Sequence, residues 1–292
     1  MFKQYLLLAK PGILFGNFVT TLGGFFLASQ GHIDIPLLLL TLIGTTLVVA
    51  SGCVFNNIID QDIDPKMART QNRALVKKTI SPVAAFIYAS IIGVIGFILL
   101  YIFSGIYAFC FAALGFIVYV IVYSLWSKRQ SIHQTVIGSI SGASPPVIGY
   151  TAVSHEFDVA ALLIFLAYSI WQMPHSWGIA IYRLDDYQRA CVPILPVARS
   201  VLRTKIECLI YVILFTLVLN GLYCFGYTNV FFLITFNGLC VYWIYLSLIG
   251  FKVKDDQQWA KRYFLYSIIL ITALSISFSF SYQSPAPHLP LF

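Results

Sequence analysis

The sequence predicts an all-α integral membrane protein, a bundle of nine transmembrane helices with its charged loops on the cytoplasmic side. The first observation is composition, because 59% of the 292 residues are hydrophobic and only 10% are charged, whereas soluble domains carry about 25% charged residues. The second is the length of the apolar runs, which continue for the roughly 20 residues that a membrane helix needs. A transmembrane barrel would instead alternate apolar and polar residues in segments of about 10.

Nine runs reach the length of a span, and short polar turns such as Ser104-Gly105 separate several of them. The predicted spans cover residues 13–29, 36–55, 82–103, 107–126, 134–154, 158–181, 206–226, 229–250 and 263–282. The N-terminal segment leads into a full-length run without a cleavage-type site, so we interpret it as the first span rather than a removed signal. We expect residues 1–292 to form a single transmembrane domain.

The third observation is the distribution of positive charge. With nine spans, all 18 Lys and Arg residues lie in the N-terminal segment or in and beside the loops after spans 2, 4, 6 and 8. The positive-inside rule makes that side cytoplasmic, which places the N-terminus in the cytoplasm and the C-terminus outside a bacterial-type inner (plasma) membrane. We expect the C-terminal segment, with Pro285, Pro287 and Pro290, to lack regular structure.

Two other interpretations of the composition are disfavoured. The net charge of +7 does not indicate a nucleic-acid partner, because the cations flank apolar spans instead of forming a stripe on a soluble face. The six cysteines are scattered without a C-x-x-C pair, which argues against a disulfide framework or a zinc site. We expect the cysteines to be small buried side chains.

Carboxylates and cations meet in Asn56–Arg73, at the predicted cytoplasmic end of span 2. Asn56, Asp60 and Asp64 are spaced i, i+4 and i+8, so on a helix they project from one face. Pro65 disfavours helical geometry at the residue before it, so we expect the helix to end near Asp64. Mg²⁺ prefers one or two carboxylates together with substrate phosphate oxygens. We favour a metal site over a solvated helix end, because like charges at this spacing are destabilising without a counter-ion.

Two further loops on the same side carry charge. Tyr182–Arg189 follows span 6 and offers carboxylates for a second metal and arginines suited to bidentate phosphate contacts. Lys128 and Arg129 precede span 5, whose small residues between 138 and 149 permit close helix packing or a backbone turned toward a ligand. We expect Pro145-Pro146 to break that span.

A histidine lies inside span 6, in the segment Trp171-Gln-Met-Pro-His175-Ser-Trp177. An intramembrane histidine with polar neighbours is a candidate functional residue by default, although a packing role competes. If it is functional, His175 could bind a haem iron or move a proton. The sequence lacks the motifs G-x-S-x-G, Walker A, G-x-G-x-x-G and H-E-x-x-H.

The Asn56-x-x-x-Asp60-x-x-x-Asp64 segment resembles the first aspartate-rich motif of the UbiA-type intramembrane prenyltransferases, a nine-helix superfamily with cytoplasmic active-site loops. Five motifs in order resemble the branch of that superfamily that farnesylates haem: Asn56–Arg73, Gly142–Gly149, Trp171–His175, Tyr182–Tyr187 and Val192–Pro196. The second acidic motif lacks the Asp-x-x-x-Asp of quinone-type relatives, which leaves a second metal and the role of Asp185 open.

The resemblance implies a transferase that joins farnesyl diphosphate, haem B and water into haem O and diphosphate, with Mg²⁺ as cofactor and haem as a substrate. It implies that Asp60, Asp64 and Asp186 are catalytic, and that Asn56 joins these three around the metal. The diphosphate would be held by cations, namely Arg69, Arg73, Lys77, Lys128, Arg129 and Arg183. Trp171 and His175 would lie near the haem. A haem-A-forming enzyme or a terminal oxidase would be a partner.

Two rival functions stay open from the sequence. Prenylation of a quinone precursor would use the same chemistry on another acceptor. A transporter or channel would use the intramembrane polar groups as an ion path, but the acidic residues gather at the cytoplasmic ends of the spans, and no inverted repeat is evident.

Overall fold

The computed structural model describes residues 2–281, and every regular element in that range is helical. The C-terminal prolines, for which irregular structure was predicted, lie outside the described residues. The α-helices are α1 (Phe2–Leu8), α2 (Pro11–Ser29), α3 (Ile35–Ile59), α4 (Pro82–Leu99), α5 (Gly105–Ile117), α6 (Lys128–Gln130), α7 (Gln134–Ser154), α8 (Val159–Tyr182), α9 (Leu184–Arg189), α10 (Leu195–Ala198), α11 (Val201–Cys224), α12 (Val230–Ile249) and α13 (Asp256–Ser277). Two π-helical segments, Leu100–Ser104 and Val118–Ser127, continue α4 and α5.

Short polar side chains set where the long helices begin. An N-cap oxygen accepts a backbone N–H of the first turn, which otherwise has no partner inside the helix. Asp34 does this for α3, Ser81 for α4, Asp158 for α8, Ser200 for α11, Asn229 for α12 and Asp255 for α13. Proline occupies the first turn of α2, α3 and α4, where its missing N–H costs nothing.

Seven helical segments among the described residues are long and apolar enough to cross a membrane. They are Pro11–Ser29, Ile35–Asp62, Pro82–Gln130, Val159–Tyr182, Val201–Cys224, Val230–Ile249 and Asp256–Phe280. The structure therefore shows an all-helical protein of membrane type, as predicted, but it does not confirm the number nine. The difference has two sources: the 49-residue segment covers two predicted spans, and the polar, glycine-rich helix α7 is absent from the seven.

The long segment 82–130 folds back on itself at Gly105. This residue has φ of 88°, a conformation that glycine adopts without steric cost. The rings of Phe97 and Phe116 lie 5.6 Å apart, although 19 residues of straight helix would separate them by about 28 Å. The π-helical segment before the turn and α5 after it are therefore the two sides of a helical hairpin.

The prediction that Pro145-Pro146 breaks the fifth span is wrong, because α7 runs without interruption from Gln134 to Ser154. Close packing against α2 supports this helix. A Cβ at Gly24 would lie 1.9 Å from the Pro146 carbonyl oxygen, and one at Gly149 would lie 2.0 Å from the Thr21 oxygen. Tertiary contact thus holds together a helix whose two prolines cannot donate backbone hydrogen bonds.

Two predicted boundaries and one burial prediction also need correction. Helix α11 begins at Val201 and α13 at Asp256, five and seven residues before the predicted starts. Hydropathy misses the first turns of these helices because they carry polar side chains, although polar contacts with neighbouring segments stabilise them. Lys205 makes such a contact, donating to the Gly250 carbonyl at 2.6 Å. The cysteines divide into buried Cys53, Cys208 and Cys240 and exposed Cys110, Cys191 and Cys224.

The largest core lies among α7, α8, α11, α12 and α13, where bulky rings such as Tyr168, Phe215 and Trp243 are almost completely buried. Helices α4 and α5 expose large apolar side chains, among them Ile91, Ile98 and Ile106, and α11, α12 and α13 do so as well. Such surfaces suit contact with lipid, since hydrocarbon accepts apolar side chains but no unpaired backbone groups. The molecule thus buries its largest core among the later helices and presents apolar side chains outward from both the hairpin and those helices.

Candidate active site

A polar cavity of about 260 Å³ lies where the start of α2, the end of α3, the second π-helical segment and the loops after α3 and α8 meet. Its charged and amide-bearing walls come from segments that are far apart in sequence. They are Lys10, Asn56, Asp60, Asp64, Arg69, Arg73, Lys128 and Gln172. We call this space the polar cavity.

Asn56, Asp60 and Asp64 reach the polar cavity although the helix that carries Asn56 ends earlier than predicted. Helix α3 stops at Ile59, and two 3₁₀ turns, Asp60–Asp62 and Asp64–Lys66, follow it. The tighter turns still keep the three side chains on one side, and each is at most 3% exposed. Burial of two carboxylates requires positive charge or hydrogen-bond donors nearby.

Three cations from different segments meet these oxygens. The Arg73 guanidinium donates to both carboxylate oxygens of Asp64 at 2.7 and 2.8 Å. The Lys128 ammonium pairs with Asp60, and the Lys10 ammonium donates to the Asn56 side-chain oxygen. Positive charge thus lines the polar cavity next to the carboxylates.

Lys10 is a site residue that the sequence motifs do not include. It caps α2 with φ of 56°, a left-handed conformation that costs a non-glycine residue of order 1–3 kcal/mol and often marks a functional site. Burial lowers the pKa of Lys10 to about 8, because desolvation disfavours the ammonium ion. In the sequence, Lys10 stands out only as a lysine directly before Pro-Gly at the start of a span. An ordinary lysine that anchors a helix at the membrane surface would have the same pattern.

The second π-helical segment orients Asn56. The Ser124 hydroxyl donates to the Tyr119 carbonyl at 2.8 Å and accepts the Asn56 side-chain N–H at 2.8 Å. The amide oxygen of Asn56 is therefore free to face Lys10. Tyr119 and Tyr123 of the same segment stack at 5.9 Å and line the polar cavity. Within an apolar run such tyrosines look the same as core aromatics, so sequence reasoning had no signal by which to select them.

The donor set fits Mg²⁺ in chemistry and in one specific atom. Carboxylate and amide oxygens are the ligands that Mg²⁺ prefers, with substrate oxygens or water completing six positions. The Asp60 Oδ1 atom is buried without a hydrogen-bond partner, and the Arg129 guanidinium lies 3.8 Å from it. Among the described residues no three His, Cys, Asp or Glu side chains form a ready metal cluster, so a metal here would also need Asn56 or substrate oxygens.

Four other predicted site residues lie outside the polar cavity as the described residues define it. Lys77 is exposed, and Arg183 lies over the ring of Tyr182 at 4.5 Å. Arg129 pairs with Asp62 and donates to the Ile59 carbonyl at 2.9 Å. The fourth is Asp186.

Asp186 joins two loops. Its Oδ1 atom accepts the Ala68 N–H at 3.0 Å and pairs with Arg189. Burial opposes the charged form of Asp186, but the Ala68 N–H and the Arg189 guanidinium outweigh it and hold the pKa of Asp186 below its usual range. Asp186 therefore fixes the loop after α3 to α9.

A second, apolar cavity of about 440 Å³ borders the polar one. We call it the apolar cavity; its walls come from α2, α3, α5, α7, α8 and α13. Six residues line both spaces, namely Ile13, Tyr119, Ser141, Gln172, Ser176 and Ile179. The two spaces are therefore adjacent and share a wall of side chains.

Trp171 and His175 line the apolar cavity, from α8. Their rings stack with centroids 4.5 Å apart and planes 15° apart. Both bind Ser267 of α13: the Trp171 Nε1–H donates to its carbonyl at 3.1 Å, and the His175 Nδ1 atom lies 2.7 Å from its hydroxyl oxygen. These contacts hold the histidine ring in a fixed orientation.

The combined site can hold an amphiphile whose polyphosphate head meets cations and carboxylates while its hydrocarbon tail enters the apolar cavity. The sequence profile of the UbiA prenyltransferase family matches residues 17–269. The chain belongs to this family, and the prediction from the sequence that it is a prenyltransferase is confirmed.

Named relatives match along the whole chain. A protoheme IX farnesyltransferase of Acinetobacter baumannii (strain AYE) is 77% identical over 292 residues, which is 100% of both chains. A protoheme IX farnesyltransferase of Klebsiella pneumoniae subsp. pneumoniae is 49% identical over 288 residues, 99% of this chain and 98% of the relative.

Solved structures share the fold. One, from work on digeranylgeranylglyceryl phosphate synthase in membranes, has a TM-score of 0.78 at 19% identity and covers 96% of this chain and 97% of its own. A UbiA homologue from Archaeoglobus fulgidus bound to GPP and Mg²⁺ has a TM-score of 0.68 at 15% identity, covering 94% of this chain and 99% of its own. At such identities the likeness concerns the fold alone.

Proposed function

We propose that this chain transfers the farnesyl group of farnesyl diphosphate to a vinyl group of haem B, with addition of water, and releases haem O and diphosphate. The adjacency of the polar and apolar cavities carries the proposal for the donor, because a prenyl diphosphate has the same division into charged head and hydrocarbon tail. The full-length identity of 77% to a protoheme IX farnesyltransferase supports haem as the acceptor.

The residues of the polar cavity would act on the leaving group. Lys10, Arg73 and Lys128 line the polar cavity, which phosphate oxygens would enter. Their positive charges would stabilise the negative charge that collects on the departing diphosphate. Mg²⁺, held by Asn56, Asp60 and Asp64, would supply further charge neutralisation. Arg69 also lines the polar cavity and would bind the diphosphate as well.

Four predicted residues do not line the polar cavity. Lys77, Arg129 and Arg183 remain predictions, and for Arg129 the pairing with Asp62 supports a role in orienting the loop. Asp186 as a metal ligand also remains a prediction. Its bond to the Ala68 N–H supports an indirect contribution, through the position of the loop that bears Arg69.

The apolar cavity would protect the reaction from water. Loss of diphosphate leaves an allylic cation, which bulk water would quench, and an apolar enclosure limits that side reaction. A haem vinyl group would attack the farnesyl carbon, and a single water would then add to the resulting cation on the haem. Trp171 and His175 would lie beside the haem, as the resemblance implied.

We further propose one domain with nine spans, an N-terminus in the cytoplasm and a C-terminus outside an inner membrane of bacterial type. The reversal at Gly105 supports two spans within residues 82–130. The 21-residue length of α7 and its packing between α2, α5 and α8 support another. A haem-A-forming enzyme or a terminal oxidase, either of which could use haem O, remains the predicted partner.

The test is a transfer assay with purified protein and farnesyl diphosphate, in which haem B and 4-hydroxybenzoate are offered separately and products are identified by mass. We expect haem O from the first arm only. A prenylated benzoate without haem O would favour the quinone-precursor function instead, and no prenylated product in either arm would contradict both acceptors.

A matched pair of variants tests the metal assignment. Asp60 and Asp62 share one 3₁₀ turn, but Asp60 lines the polar cavity while the side chain of Asp62 is 59% exposed. Asp60→Asn should lower kcat by at least about a hundredfold, as removal of a group that acts on developing charge does, whereas Asp62→Asn should keep most of the activity. Removal of Mg²⁺ with EDTA should stop the wild-type reaction and its return should restore it; equal activity of the two variants would contradict the assignment.

A further inference from the structure

We propose that His175 accepts the proton of the water that adds to the haem side chain, and that Ser267 is a positioning residue that determines which ring nitrogen accepts it. This inference rests on the proposed function, because it assigns the water-addition step of that reaction. The contact between Ser267 of α13 and His175 of α8 shows which of these two side chains donates the proton of their hydrogen bond.

The single hydroxyl proton of Ser267 fixes the tautomer of His175. Ser267 Oγ lies 2.6 Å from the Phe264 carbonyl oxygen, which can only accept, so the hydroxyl proton is committed there. The remaining bond, 2.7 Å to His175 Nδ1, must therefore use a proton of the imidazole. In neutral imidazole one nitrogen donates and the other accepts, so Nε2 carries the lone pair.

Neighbouring aromatic rings also hold the plane of the His175 ring in one orientation. Trp171 covers one face at 4.5 Å, and Phe264 approaches edge-on at 6.4 Å. Trp171 is itself held by its bond to the Ser267 carbonyl. Within residues 2–281 His175 Nε2 has no hydrogen-bond partner, so an aligned acceptor is left for a molecule in the apolar cavity.

The neighbours of His175 lie at the junction of the two cavities. Gln172 and Ser176, three residues before and one after it, line both spaces. An amide and a hydroxyl at this junction can hold a water molecule beside the histidine. This position favours a proton transfer from water over a purely structural role for the histidine.

The step balances without a further reactant. The C–O bond between farnesyl and diphosphate breaks, and a C–C bond forms between the farnesyl carbon and the outer carbon of the vinyl group. Water oxygen then bonds to the inner vinyl carbon, and one water proton passes to His175 Nε2. The imidazolium later returns that proton to the diphosphate or to bulk water.

The experiment measures product partition in five variants. His175→Ala and His175→Gln remove the base, and the glutamine keeps a polar side chain beside Ser267 in case the smaller residue perturbs folding. Ser267→Ala removes the positioning hydroxyl. Ser277→Ala is the matched control, because Ser277 lies on the same helix and donates to the carbonyl three residues earlier, at 2.8 Å, without touching a histidine.

We expect both His175 variants to form the hydroxylated product about a hundredfold more slowly, the usual loss when a general base is removed, with unchanged KM for farnesyl diphosphate. The haem that is farnesylated should shift toward a product lighter by one water, formed by proton loss from the cation. Ser267→Ala should show a smaller shift in the same direction, Ser267→Thr should restore the wild-type ratio, and Ser277→Ala should match wild type.

Three results would overturn the inference. A wild-type product ratio in His175→Gln would show that no base is needed there. A change in the Soret band of bound haem in both His175 variants, with the product ratio unchanged, would make His175 an iron ligand instead. An equal effect of Ser267→Ala and Ser277→Ala would remove the positioning role. If wild type itself forms no farnesylated haem, the proposed function fails, which is a distinct outcome.

Discussion

Lys10 brings a positive charge into the polar cavity from a segment outside the five sequence motifs. Its ammonium group donates to the amide oxygen of Asn56, whose amide nitrogen is in turn held by Ser124. Cation, amide and hydroxyl thus form a chain of hydrogen bonds that begins at the N-terminal end of α2 and ends on the π-helical segment. The chain links the first predicted span to the acidic motif at the level of single atoms.

Replacing Lys10 by Met should therefore weaken the binding of farnesyl diphosphate. A hydrogen bond to a charged group contributes about 1.5–3 kcal/mol, so we expect KM for farnesyl diphosphate to rise at least about tenfold. Lys10→Arg, which keeps the charge, should lose less. The control is Lys3→Met, at an exposed position of α1, and a similar loss in that control would show that only the surface charge matters.

Among the helices, the crossing of α2 and α7 depends on two glycines that allow backbone to approach backbone. A Cβ added at Gly24 or Gly149 would lie only 1.9 or 2.0 Å from a carbonyl oxygen, which leaves no room for a methyl group. Movement of one helix is the only relief, because a backbone oxygen cannot rotate away. The crossing also supports α7 at its two prolines.

Gly149→Ala should consequently lower stability by about 3 kcal/mol, at the upper end of the cost of overpacking. Thermal unfolding in detergent, followed by circular dichroism, would measure the loss. Gly238→Ala is the matched control, since Gly238 is also inside a helix and nothing lies within 4 Å of the added carbon. An unchanged Tm for Gly149→Ala would contradict the close-packing explanation.

The loop after α3 and helix α9 are joined through Asp186. Because the pKa of Asp186 lies below its usual range, the bond contributes at neutral pH and is lost as pH falls through that lowered value. Asp186→Ala should speed tryptic cleavage in the loop that carries Arg69 and Arg73. Asp185→Ala, at the exposed neighbouring position, should cleave at the wild-type rate; equal rates in both variants would show that Asp186 does not hold the loop.

Across the molecule as a whole, the number of spans determines which side each turn faces. With nine spans the turn at Gly105 lies outside and the loop at Ser131 lies in the cytoplasm. A cysteine at Ile106, which is 54% exposed, should therefore react with a membrane-impermeant maleimide added to spheroplasts, whereas one at Ser131 should react only after lysis. Wild type, with its exposed native Cys110, Cys191 and Cys224, gives the background signal. Labelling of Ile106→Cys only after lysis would exclude a hairpin that crosses the membrane twice.

The sequence predicted the helical membrane class because hydropathy and run length are local properties that need no partner. It also located the acidic motif, since the spacing of Asn56, Asp60 and Asp64 survives the change from α-helix to 3₁₀ turns. It misjudged Pro145-Pro146 and the beginning of α13, where contacts with neighbouring segments outweigh local preference.

Hydropathy and residue spacing along the chain were therefore enough to predict a helical membrane protein. They also identified the types of residue that could act on a diphosphate. The packing of the helices determines which cations line the polar cavity: Lys10, Arg69, Arg73 and Lys128 do, and Lys77 and Arg183 do not. Arg129 does not line the cavity but lies 3.8 Å from Asp60. The packing also settled that Asp186 joins loops and that Ser267 of α13 meets His175 of α8. The physical reason is that polarity is a property of each residue in turn, whereas the convergence of side chains depends on how the helices cross.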